Sequence, residues 1–175
     1  HDSLKVMLEE YNPSFFKVLP QSCIIDGWNL ILLNSVIQDD EDPNQNKARG
    51  FLSEASLNYM IQKLEEGFPS IIALHHPPLE PGGWLNRKLL DNRDDFNKII
   101  SFYKNVKLVI YGHIHYFTNV LKGHVRYCSS SSVGFAFDKD LPKFQIADGY
   151  EGINLIDIIN DSITINNIHL SFPNN

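Results

Sequence analysis

The chain carries the segment Val106-Lys107-Leu108-Val109-Ile110-Tyr111-Gly112-His113-Ile114-His115, in which an apolar run ends in a pair of histidines. The run is rich in β-branched residues and alternates too little for a half-exposed strand, which predicts a buried strand. In an extended chain residues i and i+2 point to one side, so His113 and His115 are predicted to project their imidazoles together. Gly112 has no Cβ atom and permits a close approach to the backbone. This pattern favours a transition-metal site, and a hydrogen-bonded pair of loop histidines is the alternative.

A second apolar run, residues 70–74, ends in His75-His76-Pro77-Pro78. A helical segment separates the two runs, so the pattern predicts a βαβ unit with parallel strands and a right-handed crossover. Open α/β sheets bind ligands at the carboxyl edge of their parallel strands. His75 is therefore a candidate third metal ligand beside His113, and a hydrogen-bonded histidine at the edge of the core is the alternative.

Composition places the chain among ordinary globular proteins. It has 175 residues, of which 43 % are hydrophobic and 21 % are charged, enough for one domain with a core. The net charge of −6 gives no basic footprint for a nucleic-acid backbone, so a phosphate-handling enzyme with this charge would need metal to attract its substrate. No apolar run approaches the roughly 18 residues of a membrane span, and no signal peptide is visible. Cys23 and Cys128 are far apart and fit no Cys-x-x-Cys pattern, which predicts reduced core residues of a cytoplasmic protein, and a disulfide between them is the alternative.

Turn and cap residues predict the elements before the second histidine. The dipeptide Asp26-Gly27 predicts a hairpin between Ile24-Ile25 and residues 28–37. Ser53 is a candidate N-cap for a helix that ends at Gly67. The apolar face of this helix is predicted to consist of Leu57, Met60, Ile61 and Leu64. Asp91 is predicted to cap a second helix.

Antiparallel hairpins are predicted after His115. One spans residues 116–129 with a turn at Lys122-Gly123, and the other spans 149–170 with a turn at Asn160-Asp161. His124 and His169 fall in these hairpins without ligand spacing and are predicted to be structural. The Pro- and Gly-rich loop 81–85 either shapes a substrate pocket or covers a sheet edge.

Taken together, these residues resemble the carboxy-terminal part of the calcineurin-like metallophosphoesterase superfamily, and within it the bacterial class III cyclic-nucleotide phosphodiesterase (CpdA/Icc) group. The resemblance covers nearly the whole chain. The stretches that carry it are His1-Asp2, residues 74–78, residues 112–115, the tail 128–150 and, more weakly, residues 49–53.

The resemblance implies an α/β fold, part of a four-layer αββα sandwich of mixed sheets, with two divalent transition metals drawn from Mn, Fe, Zn or Co. It assigns His75 and His113 to one metal and His115 to the other. It makes His76 a near neighbour of the ligands or of the substrate and not a ligand itself. His1 matches the motif histidine that contacts the scissile phosphate and is the implied catalytic residue. Two metals would polarise the phosphate and activate water for in-line attack.

The family's Asp-x-His and Gly-Asp motifs, and the Asn before the motif histidine, have no counterpart here. Residues 1–175 are therefore predicted to be the carboxy-terminal part of one domain with an incomplete metal site and no activity by itself. The full-length parent is expected to hydrolyse a small phosphodiester such as a cyclic nucleotide. The alternative is a metal-poor fragment or pseudo-enzyme that assembles with a partner, or with a second copy of itself, through an exposed sheet edge.

Overall fold

The computed structural model describes residues 21–36, 49–147, 150–160 and 162–170. After the β1–β2 hairpin, helices and strands alternate up to residue 111, and strands alone follow. The elements are β1 (Gln21–Ile25), β2 (Trp28–Leu32), α1 (Glu54–Glu65), β3 (Ser70–Ala73), a 3-10 helix (Gly83–Arg87), α2 (Arg93–Phe102), β4 (Val106–Tyr111), β5 (Thr118–Lys122), β6 (Val125–Ser129), β7 (Ala136–Phe137), β8 (Ile146–Ala147), β9 (Gly152–Ile159) and β10 (Ser162–His169).

Six strands form one mixed sheet in the order β1-β2-β3-β4-β6-β5. The four inner strands, β2, β3, β4 and β6, run parallel, and the two edge strands, β1 and β5, are antiparallel to their neighbours. Ile72 of β3 pairs with Val109 of β4, so the strands that precede the two histidine motifs are adjacent. The predicted parallel βαβ unit is confirmed, and α1 links β2 to β3 in the same way.

The helices α1 and α2 pack their apolar sides on the sheet. Met60 and Leu64 of α1 and Phe96 and Ile100 of α2 are fully buried in the core, together with Ile72 of β3. The predicted N-cap of α1 is confirmed, because the Ser53 hydroxyl accepts the backbone N–H of Ser56 at 3.1 Å.

The predicted stop of α1 is also confirmed. Gly67 has a φ of +82° and donates its N–H to the carbonyl of Leu64. The predicted cap of α2 is wrong by one residue, since Asn92 and not Asp91 occupies the cap position. The Asp91 carboxylate pairs with Arg49 instead.

The predicted hairpins are present with small shifts. Asp26 and Gly27 have φ angles of +48° and +81°, which suit a two-residue turn, and β2 ends at Leu32, before the predicted limit. Lys122 pairs with Val125, so the second turn lies at 123–124 and not at Lys122-Gly123. The last hairpin turns at Asn160, whose φ is +47°, while residues 149 and 161 lie outside the described part of the chain.

The β9–β10 hairpin covers the face of the sheet opposite the helices. A cavity of about 310 Å³ lies between the two, lined by Ala73 and Ile110 of the sheet and by Asn154 and Ile156 of the hairpin. The predicted α/β class with mixed strands is confirmed. The described residues supply a helical layer and two β layers of the implied sandwich.

Both cysteines are free thiols, and Cys128 is buried as predicted. The predicted core position of Cys23 is wrong, because Cys23 is exposed on the edge strand β1. Burial raises the pKa of the Cys128 thiol to about 11. No helix within the described ranges is long and apolar enough to cross a lipid bilayer.

Candidate metal centre

His75 and His113 meet at the carboxyl edge of the parallel sheet. The backbone pairing of β3 with β4 continues past both strands, as Leu74 donates to the carbonyl of Ile110 and Gly112 donates to the carbonyl of His75 at 3.0 Å. The side chains follow, and Nε2 of His75 lies 2.9 Å from Nδ1 of His113. The sequence predicted this meeting from the adjacency of the two strands.

His76 completes a cluster of three imidazoles. One ring nitrogen each of His75, His76 and His113 lies within 4.8 Å of the others, and this cluster could hold a metal ion. His75 is its exposed member, whereas His76 and His113 are buried. The resemblance made His76 a near neighbour and not a ligand. In the structure its ring centroid lies 4.6 Å from that of His113, compared with 4.8 Å for His75. We call this trio the histidine cluster.

Ser35 orients His76 from the loop after β2. Its hydroxyl lies 2.8 Å from Nδ1 of His76 and accepts the backbone N–H of the same residue. The other ring nitrogen, Nε2, is buried and has no hydrogen-bond partner among the described residues. A buried ring nitrogen without a partner is costly unless a ligand satisfies it.

Sequence reasoning missed Ser35. The available signal was its position two residues beyond the apolar part of a third parallel strand, at the same edge of the sheet.

The local geometry of the Gly-His-x-His motif differs from the prediction. His113 and His115 are not extended, because both have positive φ angles, +69° and +45°, and Ile114 donates back to the carbonyl of Gly112 at 2.8 Å. The strand ends at Tyr111 and the motif is a tight turn. The prediction that both imidazoles point to one side of an extended strand is therefore wrong, because this segment is not extended. Residues with positive φ angles other than glycine are uncommon and are found in strained functional sites.

His115 points to a separate environment from the histidine cluster. Its Nδ1 atom lies 3.0 Å from the carbonyl oxygen of Phe135, and its ring stacks on that of Phe137 with a centroid distance of 4.7 Å. When Nδ1–H donates to this carbonyl, the lone pair of Nε2 is left for a metal, an arrangement common among histidine ligands.

The surroundings keep the histidines neutral. Burial, reinforced by the charge of His75, lowers the pKa of His76 to about 3. Burial also lowers the pKa of His75, where the charge of His115 contributes next and that of Lys88 less. Burial lowers the pKa of His115 too, and the charge of Lys88 adds to this. Neutral imidazole is the form that binds metal, so the electrostatics favour ligation.

Other predicted residues fall outside this cluster. His1 lies outside the described residues. His124 lies 3.0 Å through Nε2 from the carbonyl oxygen of Tyr103, which suits the predicted structural role, and His169 ends β10. The loop after Pro78 forms the 3-10 helix and packs Trp84 on Phe137.

About two thirds of this chain matches a known protein family. The family model for calcineurin-like phosphoesterases matches residues 1–117, which include every residue of the histidine cluster. The chain belongs to the calcineurin-like phosphoesterase family. The family predicted from the motifs is thereby confirmed.

Two sequence relatives of this phosphoesterase chain are bacterial. A 3',5'-cyclic-nucleotide phosphodiesterase from Nostoc sp. is 34 % identical over 138 residues, covering 77 % of this chain and 49 % of its own length. The 3',5'-cyclic adenosine monophosphate phosphodiesterase CpdA from Vibrio vulnificus is 27 % identical over 139 residues, covering 73 % of this chain and 48 % of its own. The chain thus spans about half the length of the curated relatives it matches.

A solved structure shares the fold. A dimetal phosphatase from Danio rerio superposes with a TM-score of 0.57 at 11 % identity, covering 74 % of this chain and 56 % of that one. The likeness supports the metallophosphoesterase architecture of the sheet and helices.

The donor set of the histidine cluster fits a transition metal. Three neutral imidazoles suit Zn, Fe, Co or Mn, and the buried Nε2 of His76 lacks any other partner among the described residues. The cluster contains no carboxylate of the described residues, so these three side chains account for one ion and not for a bridged pair.

Proposed function

We propose that the full-length gene product is a metal-dependent phosphodiesterase that hydrolyses a 3',5'-cyclic nucleotide such as cyclic AMP. The observation that carries the proposal is the convergence of His75, His76 and His113 at the carboxyl edge of the sheet, with ligand atoms within 4.8 Å. The names of the relatives supply the substrate class.

The proposed roles follow the sites that the side chains occupy. His75 and His113 would hold one metal ion, and His76 faces the same space, with its ring oriented by the contact of Ser35 with Nδ1. His115 is proposed as a ligand of a second ion, because the carbonyl of Phe135 engages its Nδ1 atom. When bound, the metals supply electrophilic activation of the phosphate and of water. His1 is proposed to contact the scissile phosphate and protonate the leaving oxygen.

The remaining proposals concern context. The carboxylates that would complete a dinuclear site are expected in the part of the protein before His1, and residues 1–175 form the carboxy-terminal part of that domain. We propose a small anionic substrate, which a bound metal would attract despite the net charge of −6. We also propose a cytoplasmic location, which suits the free thiols.

A second candidate is an assembly role without catalysis. The outer face of the β9–β10 hairpin exposes a row of apolar side chains, with Ile153, Leu155 and Ile168 each more than two fifths exposed. Apolar surface of this kind favours contact with another protein surface. In this reading the histidine cluster would bind no metal in the full-length protein.

The test compares His113→Ala with His124→Ala in the full-length gene product. We expect His113→Ala to lose metal, measured by elemental analysis after gel filtration, and to lose hydrolysis of cyclic AMP and bis(p-nitrophenyl) phosphate. His124→Ala should keep both, because its imidazole contacts the backbone carbonyl of Tyr103 at the end of α2 and not the histidine cluster. His1→Ala should lower turnover and spare metal content. Residues 1–175 alone should show no diesterase activity above background.

Equal losses from the His113 and His124 substitutions would contradict the proposal, as would metal content that His113→Ala leaves unchanged. A full-length protein without bound metal and without diesterase activity would support the assembly role instead.

A further inference from the structure

A group of aromatic side chains lies beside the proposed metal site. The aromatic cluster consists of Trp84, Phe135, Phe137 and Phe144, and Phe137 is its centre. The rings of Trp84, Phe135 and Phe144 lie 5.2, 5.5 and 5.1 Å from that of Phe137. Phe137 also stacks on the ring of His115, and the two ring planes lie within 10° of parallel. The aromatic cluster is thus continuous with the Gly-His-x-His turn.

Backbone contacts hold this cluster in place. The indole N–H of Trp84 donates to the carbonyl of Asp138 at 2.7 Å, and the N–H of Phe137 donates to the carbonyl of His115 at 2.9 Å. Gly83 allows the approach, because a Cβ atom there would lie 2.0 Å from the carbonyl oxygen of Lys139. The 3-10 helix and the strand β7 are therefore fixed against each other before any ligand binds.

The cluster is buried at its centre and open at its sides. Phe137 is 6 % exposed, whereas Phe135 and Phe144 are 38 % and 58 % exposed. Exposed aromatic faces on a fixed base are the structures on which proteins stack nucleobases, since every base has a π-face.

A cation adjoins both clusters. The Nζ atom of Lys88 lies 5.9 Å from the centroid of Phe137, and its charge lowers the pKa of His75, His76 and His115. Lys88 is half-buried, and no carboxylate among the described residues forms an ion pair with it. A partly desolvated cation without a counter-ion is complementary to a phosphate.

We propose that the aromatic cluster and Lys88 form a subsite for a nucleoside monophosphate, in which the base stacks on Phe135 or Phe144 and Lys88 contacts the phosphate. This inference rests on the proposed function and specifies which part of the substrate each group takes. Lys88 lies against the aromatic cluster and close enough to the histidines to affect them, so a ligand that joins an aromatic base to an anionic phosphate is complementary to this arrangement.

The experiment measures binding by calorimetry to the full-length gene product, with AMP and ribose 5-phosphate as probes. Ribose 5-phosphate keeps the sugar and phosphate of AMP and lacks the base. We expect Phe144→Ala to weaken AMP binding about tenfold, within the range for stacking on an aromatic ring, and to leave ribose 5-phosphate unchanged. Phe135→Ala should weaken AMP binding as well, but its ring lies 4.5 Å from that of His115, so only Phe144→Ala serves to compare the two probes. Lys88→Met should weaken both probes. Phe144→Tyr should retain AMP affinity.

The matched control is Phe102→Ala. Phe102 is 77 % exposed at the end of α2 and contacts only Tyr103 among the aromatic pairs of the described residues, so both probes should bind it as they bind the wild type. Equal losses for AMP and ribose 5-phosphate in Phe144→Ala, or AMP affinity unchanged in both phenylalanine variants, would overturn the subsite.

Hydrolysis of cyclic AMP separates this inference from the proposed function. A rise in KM with kcat within about twofold in Phe144→Ala supports the subsite. Wild-type kinetics in both phenylalanine variants would reject the subsite while the diesterase stands. Base-dependent AMP binding in a protein without diesterase activity would reject the function while the subsite stands.

Discussion

The hydroxyl oxygen of Ser35 lies 2.8 Å from Nδ1 of His76 and 3.2 Å from the backbone nitrogen of the same residue. One small side chain therefore fixes both the backbone and the ring of a buried histidine. If it accepts the Nδ1–H, the lone pair of His76 resides on Nε2, where the other two imidazoles converge.

Ser35→Ala tests this relationship. The variant removes a partner from buried Nδ1, so the free energy of unfolding should fall by about 1–3 kcal/mol. Metal affinity of the full-length gene product should fall roughly 10- to 100-fold, because the ring loses its orientation. Urea unfolding and metal titration measure the two effects. Ser101→Ala is the control, since its exposed hydroxyl bonds only a carbonyl of its own helix.

Acidification should destabilise the metal-free fold. The pKa of His76 is about 3 in the folded protein and 6.5 as its ordinary value. Above pH 6.5 both states are neutral at this ring. Between pH 6.5 and 3 the unfolded state binds a proton that the folded state does not, so the free energy of unfolding falls by up to about 1.4 kcal/mol per pH unit.

Urea unfolding in EDTA at pH 6.5, 5.5 and 4.5 measures this slope. His76→Gln should flatten it, because glutamine does not titrate. The same slope in the variant and the wild type would show that His76 is not held neutral by the fold.

Gly50→Ala should displace His76. A Cβ atom at Gly50 would lie 2.2 Å from Cγ and from Nδ1 of the imidazole, closer than any real contact. The ring or the loop must move, so we expect a loss of about 1–3 kcal/mol in unfolding free energy and weaker metal binding. Gly134→Ala is the matched control, as its nearest atom is Oγ of Ser132 at 4.0 Å. Wild-type metal affinity in Gly50→Ala would disprove the clash.

Asn92→Ala should reduce stability without touching the metal. The Asn92 amide donates to the carbonyl of Leu52 and accepts its N–H, which ties the start of α2 to the segment before α1. Loss of both bonds is expected to cost about 1–3 kcal/mol in thermal or urea unfolding. Metal content should stay at the wild-type value, and a parallel loss of metal would show that this link positions the histidine cluster. Asn58→Ala, on the exposed side of α1, should not lower stability, because alanine has a higher helix propensity than asparagine.

The sequence predicted the parts of the site that depend on topology. Two apolar runs with a helical segment between them must lie parallel in one sheet, so His75 and His113 had to reach the same edge. The hairpin at Asp26-Gly27 and the cap at Ser53 also followed from local chemistry, because their φ angles and hydrogen bonds are made within a few residues.

Features of the site that depend on contacts between residues far apart in the sequence were not predictable. The turn at His113 and His115 requires positive φ angles that nothing in the two histidines signals. Ser35 reaches His76 across 41 residues, and Asn92 reaches Leu52 across 40, so neither pairing leaves a local pattern. The contact between Trp84 and Phe137 likewise depends on how the 3-10 helix lies against β7.

The wide spacing of Ser35, His76 and His113 along the chain has a consequence for synthesis. These residues follow β2, β3 and β4, and 38 residues separate His75 from His113. On the ribosome the histidine cluster is incomplete until residue 113 has left the exit tunnel and β4 has docked beside β3. If the histidine cluster binds an ion, as proposed, it can do so only after β4 has docked, and a nascent chain arrested before β4 lacks the complete cluster.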